Sequence, residues 1–133
     1  MAFTCVNEVE IEGGSADERR KASGLILAAD SADEDSASLE EGSSVLTLRF
    51  DSVDGLPEAE LSSLAAGFSG LSFVMLYFSI DGEFFGYSRS GAGGEGAESE
   101  DFGEDTRETV GRRFDGNGIA FVRERYGLRR AGE

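Results

Sequence analysis

Polar and apolar positions alternate from Phe3 to Glu12. Phe3, Cys5, Asn7, Val9 and Ile11 fall on one side, and Val6, Glu8, Glu10 and Glu12 on the other. A period of two predicts a half-buried strand with a row of three carboxylates on its wet face. Gly13 and Gly14 end the pattern. Ser15 followed three residues later by Glu18 is a capping box, and Ala22, Leu25, Ile26 and Ala29 then recur at helical spacing. Residues 30–44 are polar, acidic and aperiodic, and read as a loop. Alternation returns from Val45 to Phe50, with Leu46, Leu48 and Phe50 opposite Val45, Thr47 and Arg49.

Pro57 suits the first turn of a helix whose apolar face would be Leu61, Leu64, Ala65 and Phe68. Leu71 to Ile80 is almost continuously apolar, as a central strand requires. Asp81-Gly82 then predicts a two-residue hairpin turning into a return strand, Glu83 to Arg89. A second acidic, Gly-rich loop is expected from Gly91 to Asp105, followed by a short helix from Thr106 to Phe114. Ile119, Val122 and Tyr126 space as a terminal helix stopped by Gly127. The expected order is βαβαββα. It describes an α+β chain, one domain over residues 1–133, with a four-stranded antiparallel-rich sheet and helices on one face. If the first strand fills the free edge, the arrangement is a permuted ferredoxin-like sandwich. Leu48, Phe50, Leu64, Phe68, Phe73 and Met75 are the expected core.

Charge changes the picture more than length does. Twelve Lys and Arg stand against 27 Asp and Glu, a formal net charge of -15. Such a chain lacks the basic face that DNA, RNA or an anionic membrane needs. With no His and one Cys, it also lacks the inventory for His-based acid–base catalysis, catalytic triads and His/Cys zinc sites. A non-enzymatic role without metal or cofactor is expected. A lone Cys5 forms no internal disulfide, the first residues lack a basic and an apolar signal region, and the apolar run at 71–80 is too short to cross a bilayer. Together these lead to an expectation of a cytoplasmic protein.

The candidate chemistry is therefore acidic. Asp30, Asp33, Glu34, Asp35, Glu40 and Glu41 form one cluster, and Glu95, Glu98, Glu100, Asp101, Glu104 and Asp105 another. With Glu8, Glu10 and Glu12 they would make a phosphate-like array able to enter a partner's basic nucleic-acid groove, with opposite charge accelerating encounter. The competing reading is a solvated acidic surface suited to a halophilic or GC-rich host, in which Lys21 is the sole lysine. Charge is also split along the chain. Residues 109–133 hold six Arg against three acids. That basic end could grip the chain's own acidic face, a second subunit or a partner, or simply complement a helix dipole. Asp115-Gly116-Asn117-Gly118 with Glu124 is similar to the later half of a calcium loop, but Arg113 stands at the first ligand position in that register and would repel the ion.

Three stretches resemble the YubB-type ferredoxin-like domains of phage, plasmid and prophage proteins. They are Cys5-x-Asn7-x-Val9-x-Ile11-x-Gly13; the positions Phe50, Pro57, Leu61, Leu64, Phe68, Leu71, Phe73, Tyr77, Phe85 and Gly86; and Phe121 to Gly127. The family's Trp and paired Pro ahead of the second helix are represented here by Pro57 alone. The resemblance implies a mobile-element origin and supplies no catalytic residue. The expected function is inhibition of a host nucleic-acid-binding defence complex, a protein or ribonucleoprotein with a basic groove, in the manner of anti-CRISPR or antirestriction proteins. The alternative is an acidic interaction or structural module with no inhibitory role.

Overall fold

A computed structural model describes residues 4–28, 32–53, 63, 66–91 and 95–128. Its elements are β1 (Thr4–Gly13), α1 (Ala16–Leu27), β2 (Ala32–Glu41), β3 (Val45–Val53), β4 (Leu71–Ser79), β5 (Phe84–Gly91), β6 (Gly96–Asp101), α2 (Glu104–Arg113) and α3 (Gly118–Arg125). The strands form one six-stranded sheet in the order β2-β3-β1-β4-β5-β6, antiparallel at every junction. The chain is α+β, and its order corrects the expected βαβαββα. Residues 30–44 and 91–105 are not simply loops, because they contain the two edge strands β2 and β6. An edge strand is held by its backbone ladder and can leave its side chains in water, so neither shows hydrophobic alternation. The Pro57 helix, with Leu61, Leu64 and Ala65, lies outside the described residues.

The alternating side chains of β1 and β3 fix the sheet's α1 face. Val9, Ile11, Leu46, Leu48, Phe50, Phe73 and Met75 are buried there beneath Ala22 and Ile26 of α1. Phe68 packs against the same cluster while only half-buried. Ser15 caps α1 as the spacing predicts: its hydroxyl accepts from Glu18 N, and the Glu18 carboxylate accepts from Ser15 N, both at 3.1 Å. The buried stripe of α1 departs from expectation. Leu25 is exposed, while Arg19 and Ser23 are buried. Arg19 is tolerated because it donates to the carbonyls of Gly13, Gly14 and Ser43 at 2.7, 3.1 and 3.2 Å, tying the strand ends beneath the helix.

The opposite face has its own core. Leu76, Phe78, Phe85, Val110 and Val122 are buried together, with Tyr87, Phe102, Phe121 and Tyr126 packed around them. Phe78 stacks on Phe102 at 5.1 Å and Phe85 meets Phe121 edge-on at 5.1 Å, favourable aromatic geometries. Helices thus cover both faces, not one as expected. The β4–β5 connection is Ile80–Glu83, four residues long, because Ser79 pairs with Phe84. Asp81 holds it by accepting from Thr4 N, Ser79 Oγ and Gly82 N at 3.1, 3.0 and 3.1 Å, and Glu83 adopts φ 57.

Candidate functional site

The three carboxylates of β1 do not share a fate. Glu12 is exposed, but Glu8 and Glu10 are 2% and 5% exposed. The wet face predicted for β1 is therefore corrected: α3 lies over β4 and reaches β1, and it carries Arg123 onto both carboxylates. Arg123 Nη2 donates to Glu8 Oε2 and stands 2.7 Å from Glu10 Oε1. Arg49, opposite Glu8 in the β1–β3 register, donates from Nε to Glu8 Oε1 at 2.6 Å. Its Nη1 approaches Glu40 Oε2 at 3.6 Å. A chain of charge, Glu10–Arg123–Glu8–Arg49–Glu40, thus runs from beneath α3 to the β2 edge. Three carboxylates meet two guanidiniums, so the network stays acidic. Glu8 accepts close, charge-assisted hydrogen bonds from both guanidiniums, the condition under which buried ions are tolerated, while Glu10 faces Arg123 as an ion pair.

The remaining predicted residues lie on the two edges. Asp33, Glu34, Asp35, Glu40 and Glu41 are exposed along β2. Glu41 receives a two-pronged donation from Arg20 at 2.5 and 3.2 Å, which holds its carboxyl below the usual range. Glu95 precedes β6, Glu98 and Asp101 are exposed on it, and Glu100 is half-buried and paired with Arg125 at 2.9 Å. Glu104 and Asp105 occupy the first turn of α2, where carboxylates suit the helix dipole. Asp30 lies outside the described residues. The edges are five strand spacings apart, roughly 24 Å for a flat sheet, so the two clusters are separate borders and not one patch.

Other candidate groups are absorbed by the fold. Cys5 is buried, and burial above all pushes its thiol from 9.0 up to about 12, the reverse of an activated nucleophile. Asn117 caps α3 by accepting from Ala120 N at 3.0 Å, and Glu124 pairs with Arg113 at 3.0 Å, which uses up the calcium-like residues. Phe73, Tyr77 and Phe85 are buried in the two cores, and Phe84 and Tyr87 pack half-buried against them. Among the described residues, no three Asp, Glu or Cys side chains converge as metal ligands would, and no helix is long and apolar enough to cross a membrane. Sequence reasoning missed Arg49, and it reached Arg123 only as one of six arginines in a basic end that could grip the chain's own acidic face. The excess of Arg after residue 109 is the one signal for Arg123, since the partners are 115 positions apart.

No family model, no curated protein and no solved structure matches the chain.

Proposed function

We propose that this is a non-enzymatic binding protein whose acidic borders occupy the basic nucleic-acid groove of a partner complex, blocking it as anti-CRISPR and antirestriction proteins do. One observation carries the reading. Asp33, Glu34, Asp35, Glu95, Glu98, Asp101, Glu104 and Asp105 enter no ion pair among the described residues. The arginines that do pair, Arg20, Arg49, Arg107, Arg113, Arg123 and Arg125, face Asp17, Glu8, Glu10, Glu40, Glu41, Glu83, Glu100 and Glu124 instead. Among the described residues no cation of the chain neutralises these eight carboxylates, which leaves them to attract a basic partner. These unpaired carboxylates steer a basic partner into contact, although the β2 row is interrupted by a register shift between Asp33 and Ser38. The YubB-type, ferredoxin-like relationship, a mobile-element origin and a cytoplasmic site of action belong to the same proposal.

The test immobilises the chain in nuclease-treated lysate of candidate hosts beside two variants. One is Asp33→Asn/Glu34→Gln/Asp35→Asn, and the other is Glu98→Gln/Asp101→Asn/Glu104→Gln/Asp105→Asn. The reading expects capture of a nucleic-acid-binding complex, displacement by duplex DNA, and weaker capture by at least one variant. A partner retained equally by all three chains at every salt concentration overturns it.

A further inference from the structure

Three exposed large apolar side chains, Val6, Val53 and Ile80, gather at one corner of the α3 face. The register places Val53 opposite Thr4, and Val6 opposite Phe78 in the neighbouring row. Between this corner and α2 opens a cleft of about 410 Å³ lined by Val6, Phe78, Ile80, Val110 and Gly111. That volume suits one or two large side chains. Nothing stands within 4 Å of the place a Gly111 side chain would take, so the α2 wall is open.

The rim decides the occupant. Asp81 lines the cleft, Asp51 lies opposite Val6, and Asp115 precedes Gly116 of the lining. None of the three enters an ion pair among the described residues. The lining cation, Arg107, is committed: it donates to the Ile80 carbonyl at 2.7 Å and faces Glu83 at 3.7 Å. An apolar floor with an anionic rim disfavours a second copy of this chain, whose net charge is -15, and repels an anionic lipid surface in the same way. We infer that the cleft receives an aliphatic or aromatic side chain from a partner segment flanked by Arg or Lys. It is the anchoring point of the acidic surface proposed above, on which this inference rests, since a buried apolar anchor supplies most of an interface's residence time while rim charges act on encounter.

The test titrates isotope-labelled chain with a blocked hexapeptide, Leu-Phe between two pairs of Arg, and follows backbone amides by NMR. Saturating shifts are expected at Thr4, Val6, Ile80 and Gly111. Replacing Leu-Phe by Ser-Ser, or the Arg pairs by Glu pairs, should weaken binding at least tenfold. Gly111→Leu fills the cleft while improving helix propensity, so it should abolish binding with the melting temperature unchanged or raised. Val6→Thr/Ile80→Thr, which keeps β-branched shape, should weaken binding severalfold. Shifts confined to β2 and β6, equal binding of the Ser-Ser peptide, unimpaired binding by Gly111→Leu, or self-association that Gly111→Leu breaks would each overturn the inference. Applied to the captured partner, loss in the border variants with intact Gly111→Leu binding removes the anchor and keeps the acidic-surface reading. The opposite pattern removes the acidic-surface reading.

Discussion

Glu8 and Glu34 are the same residue in the same kind of secondary structure, and they do opposite things. Glu8 is 2% exposed and held by two guanidiniums; Glu34 stands in water on the β2 edge with no ion pair among the described residues. The difference arises from what lies above each strand. β1 is central in the sheet and α3 folds back over its polar side, so its carboxylates became structural. β2 is an edge with no further strand beside it among the described residues, so its carboxylates stand in water and deter edge-to-edge pairing. The acids of this chain therefore lie in two environments, and coverage by the C-terminal helix separates them.

The largest test of that separation is Arg123→Met. It removes the guanidinium that faces Glu8 and Glu10 beneath α3, and chemical unfolding should show a loss of about 3–5 kcal/mol. Glu8→Gln/Glu10→Gln/Arg123→Met should recover most of it, because no uncompensated charge is left. On the other face, Cys5 provides a pH test. Its folded pKa of about 12 lies above the 9.0 of a free thiol, so the folded state keeps a proton that the unfolded state releases. The contribution is complete below pH 9 and is lost as pH rises toward 12, at up to about 1.4 kcal/mol per pH unit. Cys5→Ala should flatten that limb of the stability profile, and a thiol reagent at pH 8 should leave the native chain unlabelled.

Smaller effects belong to the surface. Ser15→Ala removes the hydroxyl of the capping box and should lower stability by about 1 kcal/mol. Neutralising Asp33, Glu34 and Asp35 should change stability by no more than about 0.5 kcal/mol, in the stabilising direction, while slowing association with the partner. A modest rise in melting temperature with added KCl is expected from screening. A chain that folds only in molar salt would instead support the alternative of adaptation to a saline host.

The parts of the fold legible in the sequence are those where a side chain's direction and its environment coincide. Cys5, Asn7, Val9 and Ile11 are buried as their alternation requires, Leu46, Leu48 and Phe50 likewise, and the Ser15–Glu18 box forms. Where coverage comes from distant chain, the pattern is silent. The alternation of β1 correctly puts Glu8 and Glu10 opposite Val9, yet nothing local reveals that Arg123 closes over them. β2 and β6 escaped notice because an edge strand needs only its ladder, and Leu39, opposite Leu48, is itself half in water. The acidic clusters were visible as composition. Their division into two borders about 24 Å apart was not, since it depends on strand order.

Paired double-mutant cycles, Arg123 with Glu8 and Arg20 with Glu41, test the central claim most directly, because they compare one kind of ion pair in the two environments. Unfolding free energies of Arg123→Met, Glu8→Gln and their combination should give a coupling of about 2 kcal/mol or more. The exposed pair, cycled through Arg20→Met and Glu41→Gln, should give less than about 1 kcal/mol. Equal couplings, or a near-neutral Arg123→Met, would contradict the division of this chain's acids into a structural centre and solvent-exposed borders.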